Sequence, residues 1–154
     1  MPHWSERHAI IPASYVIFER DGKILLMRRA GTTYMEGYYT MPAGHFDGNE
    51  GARTVAAREA LEEVGLVVKP EDLEMVHCMV YRAVEKDHDR VSFFFKANDF
   101  TGKPENLEPN KCDELRWVDP AKLPVKMVWE AAHALEQIEQ GNVYSEVNFV
   151  EEAS

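Results

Sequence analysis

Three glutamates on one helical face constrain this chain more than any other feature. Residues 51–64 contain no proline and are rich in strong helix formers: Ala52, Ala56, Ala57, Arg58, Glu59, Ala60, Leu61, Glu62 and Glu63. Gly65 then supplies a helix stop. At about 100° per residue, Glu59, Glu62 and Glu63 fall within an arc of roughly 100°. They stand at i, i+3 and i+4, so their side chains converge. Like charges so placed destabilise an isolated helix by about a few tenths of a kcal/mol per pair, and something must offset that repulsion. Hard oxygen ligands in a cluster suit Mg²⁺, Mn²⁺ or Ca²⁺. A solvated acidic face is the alternative that three glutamates alone leave open. Ala52, Ala56, Ala60 and Val64 lie on a neighbouring arc, small enough to let the helix approach a sheet closely. Arg58 precedes Glu62 by four residues, placed for an ion pair across one turn.

Composition narrows the function classes. The chain has 154 residues, 45% of them apolar and 29% charged, which is ordinary for a globular protein. One domain over 1–154, with its own core, is expected. The formal net charge is −10 at pH 7. Non-specific nucleic-acid binding rests on many Lys and Arg contacts to phosphate, so this chain is a poor candidate for it. It is equally poorly suited to an anionic membrane surface. Cys78 and Cys112 do not make a disulfide framework and read as buried thiols in a reducing compartment. The first residues show no signal-peptide pattern and no apolar run approaches a membrane span. A cytoplasmic protein is expected.

The remaining elements are read from pattern. Residues 8–19 are rich in β-branched and aromatic types, Asp21-Gly22 is a turn signal, and Ile24 to Met27 is apolar, together a predicted hairpin. Tyr38 to Met41 is a short strand candidate stopped by Pro42. Residues 43–50 read as loop. Residues 74–84 and 90–97 read as strands, the second with Phe93, Phe94 and Phe95 divided between two covered faces. Residues 98–111 are loop-like, and Leu115 to Val118 is a last short strand. Val128, Ala131, Ala132, Leu135 and Ile138 mark a helix over 127–140, ended by Gly141. The order of strands and helices predicts an α/β (α+β) class, a mixed sheet with helices packed on it.

The wider spacing around the glutamates is more specific. Residues 44–66 read Gly44-x5-Glu50-x7-Arg58-Glu59-Ala60-x-Glu62-Glu63-x-Gly65-Leu66. This resembles the complete signature of the Nudix hydrolases, the Nudix box. Seven fixed positions at about 6% average usage each make a chance match improbable. Leu25 to Arg29 and Gly37 to Gly44 are also similar to many family members. Ala43 departs from the second glycine common there, which a negative φ would tolerate. The resemblance implies an α/β/α sandwich with a mixed sheet, and hydrolysis of a nucleoside diphosphate linked to another moiety.

By position, the resemblance makes Glu59, Glu62 and Glu63 ligands of Mg²⁺ (or Mn²⁺), with the Ala43 carbonyl as a further ligand. Arg58 would hold the glutamates in place, and Glu50 would be a supporting carboxylate. Gly44 would shape the loop and Gly65 the helix end. Glu62 is the first choice of general base within the box. Outside it, Glu105, Glu108, Asp113 and Glu114 flank the last strand, and Glu114 is the best placed of the four. Arg28 and Arg29 are candidates for substrate phosphate. Tyr38 and Trp129 are candidates for stacking on a base. His45 and His77 read as structural or solvent-facing.

Substrate markers are sparse. Residues 80–82, Val-Tyr-Arg, lack the proline that many ADP-ribose hydrolases of the family carry there. Tyr81 fits dinucleoside polyphosphate hydrolases, on one residue. The compact length resembles the MutT-type enzymes, which cleave a (d)NTP to the monophosphate and pyrophosphate, so that is the reading carried forward. Dinucleoside polyphosphates and nucleotide sugars are the alternatives, and a non-catalytic nucleotide-binding sensor is the alternative from another class. A small nucleotide is the implied partner, and a homodimer is one option because dimers are common in the resembling family.

Overall fold

A computed structural model of the chain describes residues 3–83 and 88–149. The predicted strand over 74–84 therefore ends, for residue 84, outside the described residues, as do residues 150–154 of the tail. The elements run β1 (Ile10–Ile17), β2 (Glu19–Arg20), β3 (Lys23–Arg29), β4 (Tyr39–Thr40), β5 (Ala43–His45) and α1 (Ala52–Val64). Then come β6 (Leu73–Arg82), β7 (Asp89–Ala97), β8 (Cys112–Val118), α2 (Trp129–Glu139) and β9 (Tyr144–Val147).

The strands form two sheets. One is mixed, in the order β5-β1-β7-β6-β9, with β1 and β7 parallel and β6 and β7 antiparallel. The other is antiparallel, with β2 and β4 along one edge of β3 and β8 along the opposite edge. The predicted hairpin is corrected in one respect. Asp21-Gly22 does join antiparallel strands, but only the short β2 pairs with β3. The chain leaves the first sheet at Phe18, so β1 pairs with β5 and β7 instead.

Two cores result, one on each side, because strand residues alternate in direction. Val16, Leu25 and Phe95 pack with Ala56, Ala60 and Val64 of α1. Their neighbours Ile17, Leu26 and Phe94 pack with Ala131 and Ala134 of α2. Phe93 is partly buried on the α1 side, as the alternation requires. This is the α/β/α layering expected from the sequence.

Three other local readings change. Residues 43–45, expected as loop, form β5, held antiparallel to β1 with Ser14 opposite Gly44. The last strand starts three residues earlier than expected, at Cys112. The tail contributes β9, parallel to β6. His77 secures that strand: Nδ1 donates to the Asn142 carbonyl at 2.9 Å, so Nε2 is free to accept from Ser145 at 2.8 Å. His77 is fully buried, and burial lowers its pKa. Both cysteines are free thiols. Among the described residues no helix is long and apolar enough to cross a membrane.

Candidate active site

The box helix is fixed at both ends and along one face. Gly65 ends α1 in the left-handed region at φ 70°, its N–H donating to the Leu61 carbonyl. The Ser14 hydroxyl donates to the Ala52 carbonyl at 2.8 Å, tying the first turn to β1. Val55, Ala56, Ala60 and Val64 are buried against the sheets. That face fixes the rotation of the helix, so the glutamates project beside β5.

Arg58 is the hub of the acidic face. Its Nη2 donates to Glu50 Oε1 at 2.8 Å and its Nε to Glu50 Oε2 at 3.2 Å, a two-pronged grip on one carboxylate. Its Nη1 donates to Glu59 Oε1 at 2.7 Å and stands 3.6 Å from Glu62 Oε2. The His45 carbonyl accepts from Nη2 at 3.3 Å. Glu50 also accepts from the Asp47 N–H at 2.8 Å, which shapes the turn before the helix. The Arg58 guanidinium, with that N–H, holds Glu50 below the usual carboxylate range.

The three glutamates have different environments. Glu59 is 15% exposed and Glu62 52% exposed. Burial pushes the Glu59 carboxyl up, against the opposing pull of Arg58. Glu63 is partly buried and accepts from the Ala43 N–H at 2.9 Å. Burial is the main cause that raises its pKa to about 8, with Glu59 and Glu108 adding to it. Ala43 is not among the residues with positive φ, so its departure from glycine costs no backbone strain. Gly44 needs its missing side chain: a Cβ there would run into the Glu59 carboxyl group.

A cavity of about 520 Å³ opens over this face. Glu59, Glu62 and Glu63 line it with Glu108 and Lys111, both near enough to Glu63 to act on its charge. Ala13, Tyr15, Met41 and Val128 also line it, as do Arg28, Arg29 and Thr32. The size suits a nucleotide-sized ligand.

Among the described residues no three His, Cys, Asp or Glu side chains converge closely enough to clasp a metal ion as they stand. The carboxylates are turned onto protein partners: Glu59 onto Arg58, and Glu63 onto the Ala43 N–H. The donor set nonetheless fits a hard divalent cation. All donors are carboxylate oxygens on adjacent turns of one helix, the hard ligands such a cation takes.

Other candidates fall in varied places. Of the four later carboxylates, Glu108 lines the cavity. Glu114 instead accepts from Tyr39 Oη at 2.8 Å and lies 3.2 Å from Arg28 Nη1. Asp113 is held by Arg28 Nε at 2.6 Å, which lowers its pKa. Glu105 donates its N–H to the Val64 carbonyl beyond α1. Arg29 is engaged by its own loop, donating to the Tyr34 carbonyl at 3.0 Å and Thr32 Oγ1 at 3.4 Å. His45 lines the cavity and is exposed. Tyr38 and Trp129 are not among the cavity's lining residues; both pack against the α2-side core, Trp129 edge-on to Tyr81 at 5.3 Å.

Sequence reasoning missed Lys111 and Tyr15. Lys111 reaches the site because its carbonyl accepts from the Ala30 N–H, joining the loop before β8 to the end of β3. No local pattern around Lys111 announces that contact.

The sequence profile of the NUDIX domain matches residues 10–138. The chain belongs to the Nudix family. The Nudix fold is seen directly in a MutT NUDIX hydrolase from Burkholderia pseudomallei, 25% identical, with a TM-score of 0.76 over 84% of this chain and 98% of that one. A second likeness is the NUDIX domain of Shewanella oneidensis NrtR complexed with ADP ribose: 15% identity, TM-score 0.70, covering 90% of this chain and 92% of that one. Among curated relatives, isopentenyl-diphosphate Δ-isomerase 2 of Aromatoleum aromaticum is 30% identical over 73% of this chain and 59% of its own length. The uncharacterised Nudix hydrolase YvcI of Bacillus subtilis is 26% identical over 67% of this chain and 62% of its own length. The chain thus spans about three fifths of these two relatives.

Proposed function

We propose that this Nudix protein hydrolyses a pyrophosphate bond in a nucleoside diphosphate derivative, a (d)NTP going to the monophosphate and pyrophosphate. The observation that carries the reading is the intact box, with Arg58 gripping Glu50 and Glu59 beside a nucleotide-sized cavity. Membership of the family and the likeness to a MutT hydrolase support it.

Glu59, Glu62 and Glu63 would hold Mg²⁺ (or Mn²⁺), with the Ala43 carbonyl beside them. The bound cation would polarise phosphate oxygens, lower the pKa of water and neutralise charge on the leaving phosphate. Water oxygen adds to phosphorus, the bridging P–O bond breaks, and the water proton passes to a carboxylate. Glu62 is the assigned base because it is the most exposed of the three and the least engaged with protein donors. Glu108, which lines the same cavity, is the outside carboxylate best placed to assist. Arg58 positions the glutamates and keeps them apart. Lys111 and Arg28 would meet the negative phosphate chain. The two free thiols fit a cytoplasmic setting.

A second reading has its own observation. One relative is named as an isomerase of isopentenyl diphosphate, so a diphosphate ester of another class enters the comparison. A panel decides: dNTPs, NTPs, diadenosine polyphosphates, ADP-ribose, nucleotide sugars and isopentenyl diphosphate, each with Mg²⁺ and with chelator. Metal-dependent release of pyrophosphate from a triphosphate is the expected result. Cleavage of bridged substrates alone would replace the substrate, and isomerisation of isopentenyl diphosphate alone would replace the reaction.

A further inference from the structure

A second groove, of about 510 Å³, runs beside α2 and shares no lining residue with the cavity over the box. Its lining is mainly apolar: Ile17 and Ile24 from the strands, Leu123 from the loop before α2, and Leu135 and Ile138 from α2 itself. Leu123, Leu135 and Ile138 are only partly buried. An apolar side chain entering the groove would take that surface out of water.

Charge sets the kind of occupant. Glu136 and Glu139 also line the groove, and both are exposed. They stand at i and i+3 in the last turn of α2, where they repel each other and the helix dipole opposes both. Glu136 accepts only from the Gln140 side-chain amide, at 3.5 Å. Neither carboxylate is paired with a cation among the described residues. Glu19, at the same groove, is different: Lys96 lies 3.7 Å from it. The groove is therefore apolar with an unanswered negative edge along α2, and a positively flanked apolar side chain is its complement.

That complement is present in the chain itself. The loop between β8 and α2 contains Lys122-Leu-Pro-Val-Lys126. Val125 is fully exposed, Lys122 and Lys126 are exposed, and neither lysine is paired with an anion among the described residues. The loop is held at both ends. The Lys122 N–H donates to the Asp119 carbonyl at 2.9 Å, and the Lys126 carbonyl accepts from the Tyr39 N–H at 2.8 Å. Pro124 fixes its own φ just before Val125. A side chain presented on a fixed loop loses little freedom when it is bound. Leu123 of this loop lines the groove while Val125 does not, so the groove adjoins the loop but is not filled by it.

We propose that a second copy of this chain docks on this face about a two-fold axis. Val125 of each protomer enters the groove of the other, and Lys122 and Lys126 meet Glu136 and Glu139 of the partner subunit. Adjoining, complementary patches on one chain are what a closed two-fold contact requires, because each copy both gives and receives. The net charge of −10 opposes approach of two copies through their acidic surfaces, so the lysine-flanked loop selects this orientation. The inference stands apart from the nucleotide reading, since no residue of the groove or of 122–126 lines the catalytic cavity.

The test is sedimentation equilibrium of the full chain over about 1 to 100 µM. The wild type is expected to pass from monomer to dimer across that range. Val125→Asp should raise the dimer dissociation constant by about 10-fold or more. Lys122→Glu with Lys126→Glu, and separately Glu136→Lys with Glu139→Lys, should each give monomers, because each exchange sets like charges across the axis. Mixed in equal amounts, these two variants should recover a dimer, since both of its contacts then join opposite charges. Every substituted side chain is exposed, and a thermal melt checks that each variant is folded. A wild type that stays monomeric overturns the inference. So does a dimer of unchanged strength in Val125→Asp or in both exchanged variants, which would put the interface elsewhere. A mixture that stays monomeric also overturns it, because these charges would then not meet.

Discussion

At the scale of single residues, one guanidinium and one buried carboxyl shape the acidic face of α1. Arg58 separates four acidic neighbours by donating to two of them and standing near two more. Arg58→Gln should lower turnover or raise the Mg²⁺ requirement by about 10- to 100-fold, read by metal titration of activity. Unchanged metal dependence would remove Arg58 from the site. Glu63 makes a prediction in pH. Its carboxyl, raised from about 4.5 to about 8, keeps a proton in the folded chain that the unfolded chain releases in that window. The folded state binds more protons there, so stability falls as pH rises from about 4.5 to about 8. In chelator, the Tm of the wild type should drop relative to Glu63→Gln across that range, by several degrees. Mg²⁺ at pH 8 should restore the wild type and leave the variant unmoved. A pH-independent difference would contradict the burial of Glu63. The glutamates themselves were legible in the sequence, because a 3.6-residue repeat places i, i+3 and i+4 together whatever surrounds them. Lys111 was not, because it comes to the cavity through a backbone bond to Ala30, far from it in sequence.

At the scale of elements, the close approach of β5 to α1 is decisive. Gly44 lies opposite Ser14 on β1 and beneath the Glu59 carboxyl group. Gly44→Ala should displace Glu59 and cut activity by about 10-fold or more while the Tm falls little, since the loss is at the cavity and not in a core. Full activity in that variant would show that Glu59 is free to move without consequence. The strand itself was invisible in the sequence, because Ala43-Gly44-His45 has no β propensity of its own and is a strand only through pairing with β1. The same reason hid β9, which depends on β6 and on the His77 bonds from a distant part of the chain. Helices were easier to read. Gly65 closes α1 where its stop signal predicted, and α2 begins two residues later and ends one earlier than its periodic stretch.

At the scale of the whole molecule, two sheets and two helices bring residues far apart in sequence to one cavity. The pairing of β3 with β8 carries Glu108 and Lys111 to the cavity beside the box glutamates, about 40 to 45 positions after the box ends at Leu66. Such placement is a product of topology, so no window of sequence contains it. The fold layers and the box followed from local pattern, whereas the later residues that complete the cavity did not. The proposed activity is hydrolysis of a phosphoanhydride in this cavity with a divalent cation held on α1. The most direct measurement is product analysis of triphosphate turnover with Mg²⁺, with chelator, and in folded Glu62→Gln and Glu63→Gln variants. Monophosphate and pyrophosphate are expected from the wild type with Mg²⁺, none in chelator, and a fall of about 100-fold or more in both variants. Turnover that survives chelation, or that both variants retain, would contradict it.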